Sequence, residues 1–166
     1  RLFAVIGIYL FCLAAHVFCA LVTSVDPKGK NISPKVYRLI LCICPLVSIY
    51  VGATVYGNAL DYNGVNSTVW INALMAVILI VVGNYLPKCR QNYTIGIKLP
   101  WTLADEDNWN YTHRMAGKWW ILGGVLTFLA GFQSWVDPVC VSLAIIMIVT
   151  LIPGVASYLY FRKHSL

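Results

Sequence analysis

The sequence predicts an all-α membrane protein: a bundle of five transmembrane helices with an ordered cytoplasmic loop between the third and the fourth. Three observations carry that reading. The 166 residues are 60% hydrophobic and 11% charged, with a mean hydropathy of +0.74, far from the roughly 25% charge of soluble domains. Five apolar runs reach the length that crosses about 30 Å of hydrocarbon as a helix. These runs, such as "LMAVILIVV" at 74–82, are apolar at every position rather than at alternate ones, which excludes the strands of a membrane barrel.

The whole chain, 1–166, reads as a single transmembrane domain. Its spans fall at about 2–23, 37–57, 68–86, 119–136 and 138–161. The first begins directly after Arg1, with no small-residue cleavage site followed by a polar segment, so it reads as a true span of a chain trimmed at its N-terminus. Pro45 and Pro153 lie inside the second and fifth spans, where each removes an intrahelical hydrogen bond and should bend its helix. The few polar groups within spans are His16, Asn72, Gln133 and Ser134. Asn72 is expected to bond a neighbouring helix, and Gly123, Gly124, Ala130 and Gly131 should let the fourth span pack closely.

Orientation follows from the basic residues. Lys28, Lys30, Lys35 and Arg38 flank the first connection, Lys88, Arg90, Lys98, Arg114 and Lys118 the third, and Arg162 and Lys163 the C-terminus. The second and fourth connections hold only Asp61 and Asp137. The positive-inside rule therefore puts the third connection and the C-terminus in the cytoplasm. That topology, together with anionic inner-leaflet lipid, accounts for the net charge of +6 without nucleic acid as a partner. Five of the six cysteines lie within spans and only Cys89 in a loop, and no Cys/His grouping has metal-ligand spacing.

The third connection, 87–118, gathers charge among aromatic and amide side chains. Pro87 stops the preceding span. Tyr85, Tyr93, Trp101, Trp109, Tyr111, Trp119 and Trp120 supply rings of the kind that settle at headgroup depth. Thr102 and Asp105 are spaced as an N-cap and its third helical position, which predicts a short helix from Leu103. On it Trp109, Thr112, His113 and Ala116 recur at helical spacing and define one face, with Asn108, Tyr111 and Met115 on other sides. Gly96 and Pro100 punctuate the approach, and at Gly117 the chain should turn upward with Lys118 snorkelling.

No nucleophile with an adjacent base, no phosphate-cradling glycine loop and no cofactor motif accompanies His113. His113 is therefore read as an organiser of the loop, and the protein as no enzyme, with no catalytic, metal or cofactor residue assigned. The residues singled out as structural or partner-binding are Asn84, Pro87, Lys88, Asn92, Gly96, Pro100, Trp101, Thr102, Trp109, Thr112, His113, Arg114, Gly117 and Lys118.

Three pieces of this stretch, "GNYLPK" at 83–88, "QNYTIGIKLPWTL" at 91–103 and "WNYTHRMAGK" at 109–118, resemble in order and spacing the central signature of the SdpI family of bacterial membrane proteins. The resemblance implies a multi-pass protein of the bacterial inner membrane that protects its own cell from a secreted antimicrobial peptide toxin. It also implies signalling, by holding a small repressor protein at the membrane. Such a repressor would dock on the cytoplasmic side among Lys88, Arg90, Lys98, Trp109, His113, Arg114, Arg162 and Lys163. The toxin would be met from outside, around Asp61–Ser67 and Gln133–Pro138, or within the bilayer. The founding member is similar to a six-span protein, and many relatives carry an extra N-terminal span and an extracellular segment, so the resemblance implies that this chain lacks them. Two other classes stay open on the residues alone: a membrane enzyme or lipid-handling protein using the loop, with membrane lipid as its partner, and a small-solute transporter built on His16 and Asn72.

Overall fold

The computed structural model describes residues 2–59 and 67–164. In chain order the helices are α1 (Leu2–Ser24), α2 (Pro34–Ala59), α3 (Ser67–Tyr85), α4 (Pro100–Ala104), α5 (Glu106–Ala130) and α6 (Pro138–His164). Single turns of 3-10 helix at Gly29–Asn31 and Leu86–Lys88 join α1 to α2 and end α3. No strand occurs among the described residues.

Four helices, α1, α2, α3 and α6, are long and apolar enough to cross a membrane. The shortest of them, α3 with 19 residues, still extends about 28 Å at 1.5 Å per residue. The fifth long helix, α5, is of mixed character. Its first half carries Glu106, Asp107, Arg114 and Lys118, and only the stretch beyond is apolar. Helices α2 and α6 run through Pro45 and Pro153 without interruption.

Local chemistry sets the ends. Ser33 Oγ accepts the Val36 amide at 3.3 Å just before Pro34 opens α2. Asp137 Oδ1 accepts the amides of Val139 at 2.8 Å and Cys140 at 3.2 Å ahead of Pro138, which opens α6. These are side-chain caps for amides that have no intrahelical partner. The last turn of α6 carries Arg162, Lys163 and His164, a favourable placement against the negative end of the helix dipole.

The expected start of the loop helix is corrected. Thr102 is not the N-cap: α4 begins at Pro100 behind an extended Leu99 and ends after one turn. Asp105 is itself extended and caps α5, accepting the Asp107 amide at 2.9 Å. Nor does the chain turn at Gly117, because α5 runs unbroken from Glu106 to Ala130. Loop helix and following apolar segment are one element.

The reason Gly117 is small lies across the interface with α3. A Cβ there would fall 2.6 Å from Pro87 Cγ and 2.7 Å from the Gly83 carbonyl oxygen. Two turns along, a Cβ on Gly124 would fall 2.8 Å from the Ala76 carbonyl oxygen. Small residues therefore face each other at both crossings, Gly83 with Gly117 and Ala76 with Gly124, and the antiparallel backbones approach closely as membrane helices do. On the other side of α5, Gly123 meets Val149 of α6. Asn72 of α3 accepts a hydrogen bond from Ser142 of α6, the interhelical contact expected for it. Helices α3, α5 and α6 thus form the core.

Candidate functional site

Residues 86–105 fold back onto the first half of α5 and the facing ends of α3 and α6, and together they bury a cluster of polar side chains there. Asn92, Thr102, Asn108, Thr112, His113 and Ser157 are each no more than 1% exposed, as is the ring of Trp109. Burial of so many polar groups in so small a chain is tolerable only if each finds partners.

They do. Trp101 Nε1 donates to Ser157 Oγ at 2.9 Å, and Ser157 Oγ donates to Asn108 Oδ1 at 2.8 Å. Thr112 Oγ1 donates to the same Asn108 oxygen at 3.1 Å, and Asn108 Nδ2 donates to the Ser157 carbonyl at 3.1 Å. One amide, two hydroxyls and an indole thereby lock α4, α5 and α6 together. Trp101 also stacks on Phe161 with ring centroids 6.0 Å apart.

A second set holds the loop onto α5. Trp109 Nε1 donates to the Cys89 carbonyl at 2.8 Å. His113 Nε2 accepts the Ile97 amide at 3.0 Å, and its Nδ1 lies 2.8 Å from the Trp109 carbonyl. Since Nε2 accepts, Nδ1 must carry the proton, so this ring is the neutral Nδ1–H tautomer. Burial lowers the His113 pKa to about 4 despite the opposing bond to the Trp109 carbonyl. The ring also lies stacked on Trp109, centroids 4.0 Å apart. Gly96 passes directly over it at φ +115°, where a Cβ would come within 2.2 Å of His113 Nε2. Only glycine combines that left-handed backbone with that approach.

The rest of the loop is built from its own amides. Asn92 Oδ1 accepts the amides of Thr94 at 2.9 Å and Ile95 at 2.7 Å. Thr102 Oγ1 accepts the Leu99 amide at 2.9 Å and donates to the Ile97 carbonyl at 2.9 Å. Gln91 Nε2 donates to the carbonyls of Thr102 and Leu103 at 2.9 and 3.0 Å. The turn between α1 and α2 completes the assembly: Lys28 Nζ donates to Gln91 Oε1, Asn31 Nδ2 to the Gln91 carbonyl at 2.8 Å, and Asp26 Oδ2 accepts the Tyr93 amide at 3.0 Å and the Thr94 hydroxyl. Desolvation pulls the Asp26 carboxyl upward, but the hydrogen bonds from Thr94, Lys28 and Tyr93 outweigh it and hold its pKa below the ordinary value.

The singled-out residues therefore separate into an interior and a rim. Asn92, Thr102, Trp109, Thr112, His113 and Gly117 are buried, Gly96 and Trp101 half-buried. Asn84, Pro87, Lys88, Pro100, Arg114 and Lys118 are exposed. This corrects the expected docking surface: Trp109 and His113, at 0% and 1% exposure, cannot touch a partner. The expectation for Asn108 is also corrected, because it is fully buried beside Thr112 rather than on another side. The stripe is simply wider than the Trp109-to-Ala116 spacing suggests, since Asn108, Thr112 and Ala116 continue it at four-residue steps. Ser157, Gln91 and Asp26 also belong to this framework although no motif marks them. Ser157, a serine in an otherwise apolar stretch of α6 at the depth of the loop, is the one with a sequence signal.

Chemically the interior is a framework. Both His113 nitrogens are occupied by backbone groups, and burial pushes the Cys89 thiol up to about 11, far from a reactive thiolate. Among the described residues no group of three His, Cys, Asp or Glu is placed to hold a metal ion.

The SdpI/YfhL protein family matches residues 88–160, from the start of the loop to the last turns of α6. The immunity protein SdpI of Bacillus subtilis (strain 168) is 29% identical over 99 residues, covering 60% of this chain and 48% of the relative. The chain thus spans about half the length of the curated relative that it matches. No solved structure matches it. Over residues 88–160, which hold most of the polar-cored cap and the helices that carry it, the chain is similar to the SdpI/YfhL family, and its long apolar helices have the character of a multi-pass membrane protein.

Proposed function

We propose that this protein is a non-enzymatic immunity protein of the bacterial inner membrane, giving its cell resistance to a secreted antimicrobial peptide. The observation that carries the reading is the similarity to a relative named an immunity protein, in a chain whose family segment, residues 88–160, takes in most of the polar-cored cap. A cap whose buried groups are all spent on one another suits a binding platform better than a reaction centre.

The basic connections face the cytoplasm in this reading, with five spans and both the cap and the C-terminus inside. A small repressor would then meet the exposed rim of Lys88, Arg90, Lys98, Arg114, Arg162 and Lys163. The peptide would be met at the opposite end. Of the two outer connections, residues 60–66 lie outside the described residues. In the other, Gln133 Oε1 accepts the amides of Trp135 at 2.8 Å and Val136 at 3.1 Å, a turn that leaves the Trp135 ring 92% exposed. A rigidly presented indole at that depth suits an amphipathic peptide as well as the membrane interface.

Expression in a peptide-sensitive bacterium, scored by survival under the cognate peptide, tests the proposal. Protection is expected, weakened by Trp135→Ala. Killing unchanged by the protein, once membrane insertion is verified, contradicts it.

A further inference from the structure

On the face of α5 away from the Trp109 and His113 packing, a groove of about 700 Å³ opens between α5 and the end of α6. Arg114 and Lys118 line it one helical turn apart, about 6 Å along the axis. Both are exposed, and neither makes an ion pair or hydrogen bond with any described residue. Its wall is aromatic: Tyr111 stacks on Tyr160 with centroids 4.8 Å apart, and Tyr160 on His164 at 4.1 Å. Towards the tip of the cap, Asp107 and Asn110 close the groove, with Asp107 about 16 Å along the axis from Lys118.

Depth identifies the environment. Trp119 and Trp120 follow Lys118 directly, and Tyr160 lies where the apolar run of α6 gives way to Arg162 and Lys163. Aromatic rings and snorkelling cations meet at the level of lipid phosphates. The lining carries two cations and one carboxylate, leaving one net positive charge, which matches a singly charged phosphodiester. The acid and amide beyond it are hydrogen-bond partners for hydroxyls on the far side of that phosphate.

We propose that this groove is a binding site for an anionic phospholipid with a hydroxyl-bearing headgroup, such as phosphatidylglycerol, its phosphate held by Arg114 and Lys118 and its headgroup hydroxyls by Asp107 and Asn110. The site lies away from the proposed peptide surface, shares only Arg114 with the edge of the proposed repressor surface, and anchors the cap at a fixed depth.

The test is native mass spectrometry of the full chain released from nanodiscs containing equal phosphatidylglycerol, phosphatidylethanolamine and phosphatidylcholine. Selective retention of phosphatidylglycerol is expected, reduced about tenfold or more in the Arg114→Gln/Lys118→Gln variant, as loss of two basic contacts to an anionic lipid implies. The Lys88→Gln/Arg90→Gln variant removes the same charge elsewhere on the rim and should retain lipid normally. In a second set of nanodiscs that also carries phosphatidic acid, Asn110→Ala should lower the preference for phosphatidylglycerol over phosphatidic acid while leaving phosphate binding in place. Equal losses in the two double variants would reduce the effect to diffuse surface charge and overturn the site. Equal retention of all three lipids, displacement by millimolar inorganic phosphate, or preference for an acidic peptide over lipid would overturn it as well. Circular dichroism of each variant separates loss of lipid from loss of fold.

Discussion

His113 shows how one residue's environment becomes a pH response. Its folded pKa, about 4, lies below the ordinary 6.5, so protons bind the unfolded chain more tightly than the native one. The contribution of the neutral ring is then fully present above about pH 6.5 and lost as pH falls towards 4, on the order of 3 kcal/mol over that window. Thermal unfolding in detergent across pH 4 to 7 should show this slope, and His113→Gln should flatten it. Asn108→Ala removes the hub that joins Thr112 to Ser157 and leaves buried hydroxyls short of partners, which should lower stability by about 2 kcal/mol, whereas Asn84→Ala on the exposed rim should change it by less than about 0.5. The sequence made His113 legible as an organiser because it stood on a helical face without any catalytic company. It hid Asn108 because a polar residue next to a tryptophan reads equally well as surface, and the partner that decides the matter, Ser157, is 49 residues away.

Among the elements, the apolar helices were legible because length and continuous hydropathy in lipid leave little choice but a helix. The polar segment was harder. Thr102 and Asp105 compete as caps three residues apart, and Pro100 allows a separate one-turn helix that the spacing alone does not reveal. Continuity of α5 through Gly117 was missed for a related reason: glycine reads as a turn signal, whereas here it is dictated by backbone contact with Gly83 and Pro87. Gly117→Val or Gly124→Leu should therefore push α5 away from α3 and cost on the order of 2–3 kcal/mol, measured as a lowered unfolding midpoint. Gly96→Val acts on the cap instead, adding a clash with His113 and a strained φ. It should accelerate limited proteolysis within residues 88–105 while membrane insertion is retained, since no apolar span is altered.

At the scale of the molecule, two kinds of solvent shape one chain. Lipid-facing surfaces on α1, α2 and α6 present large apolar side chains such as Phe11, Phe18, Ile49, Met147 and Leu151 outward, while one of the two ends that meet headgroups and water is closed by a cap with a polar interior. The cap gathers every part of the structure: α3 through Gly83 and Pro87, α6 through Ser157, and the α1–α2 turn through Asp26, Lys28 and Asn31. On the function proposed above, a peptide acting on the opposite end or within the bilayer would reach a partner on the cap only by moving these helices against it, so the cap's rigidity is the property on which the account turns. Hydrogen–deuterium exchange of the protein in nanodiscs measures it directly. Amides of residues 89–118, Ile97 above all, should exchange as slowly as those of the apolar half of α5; exchange of 89–104 at the rate of unstructured chain would contradict the account.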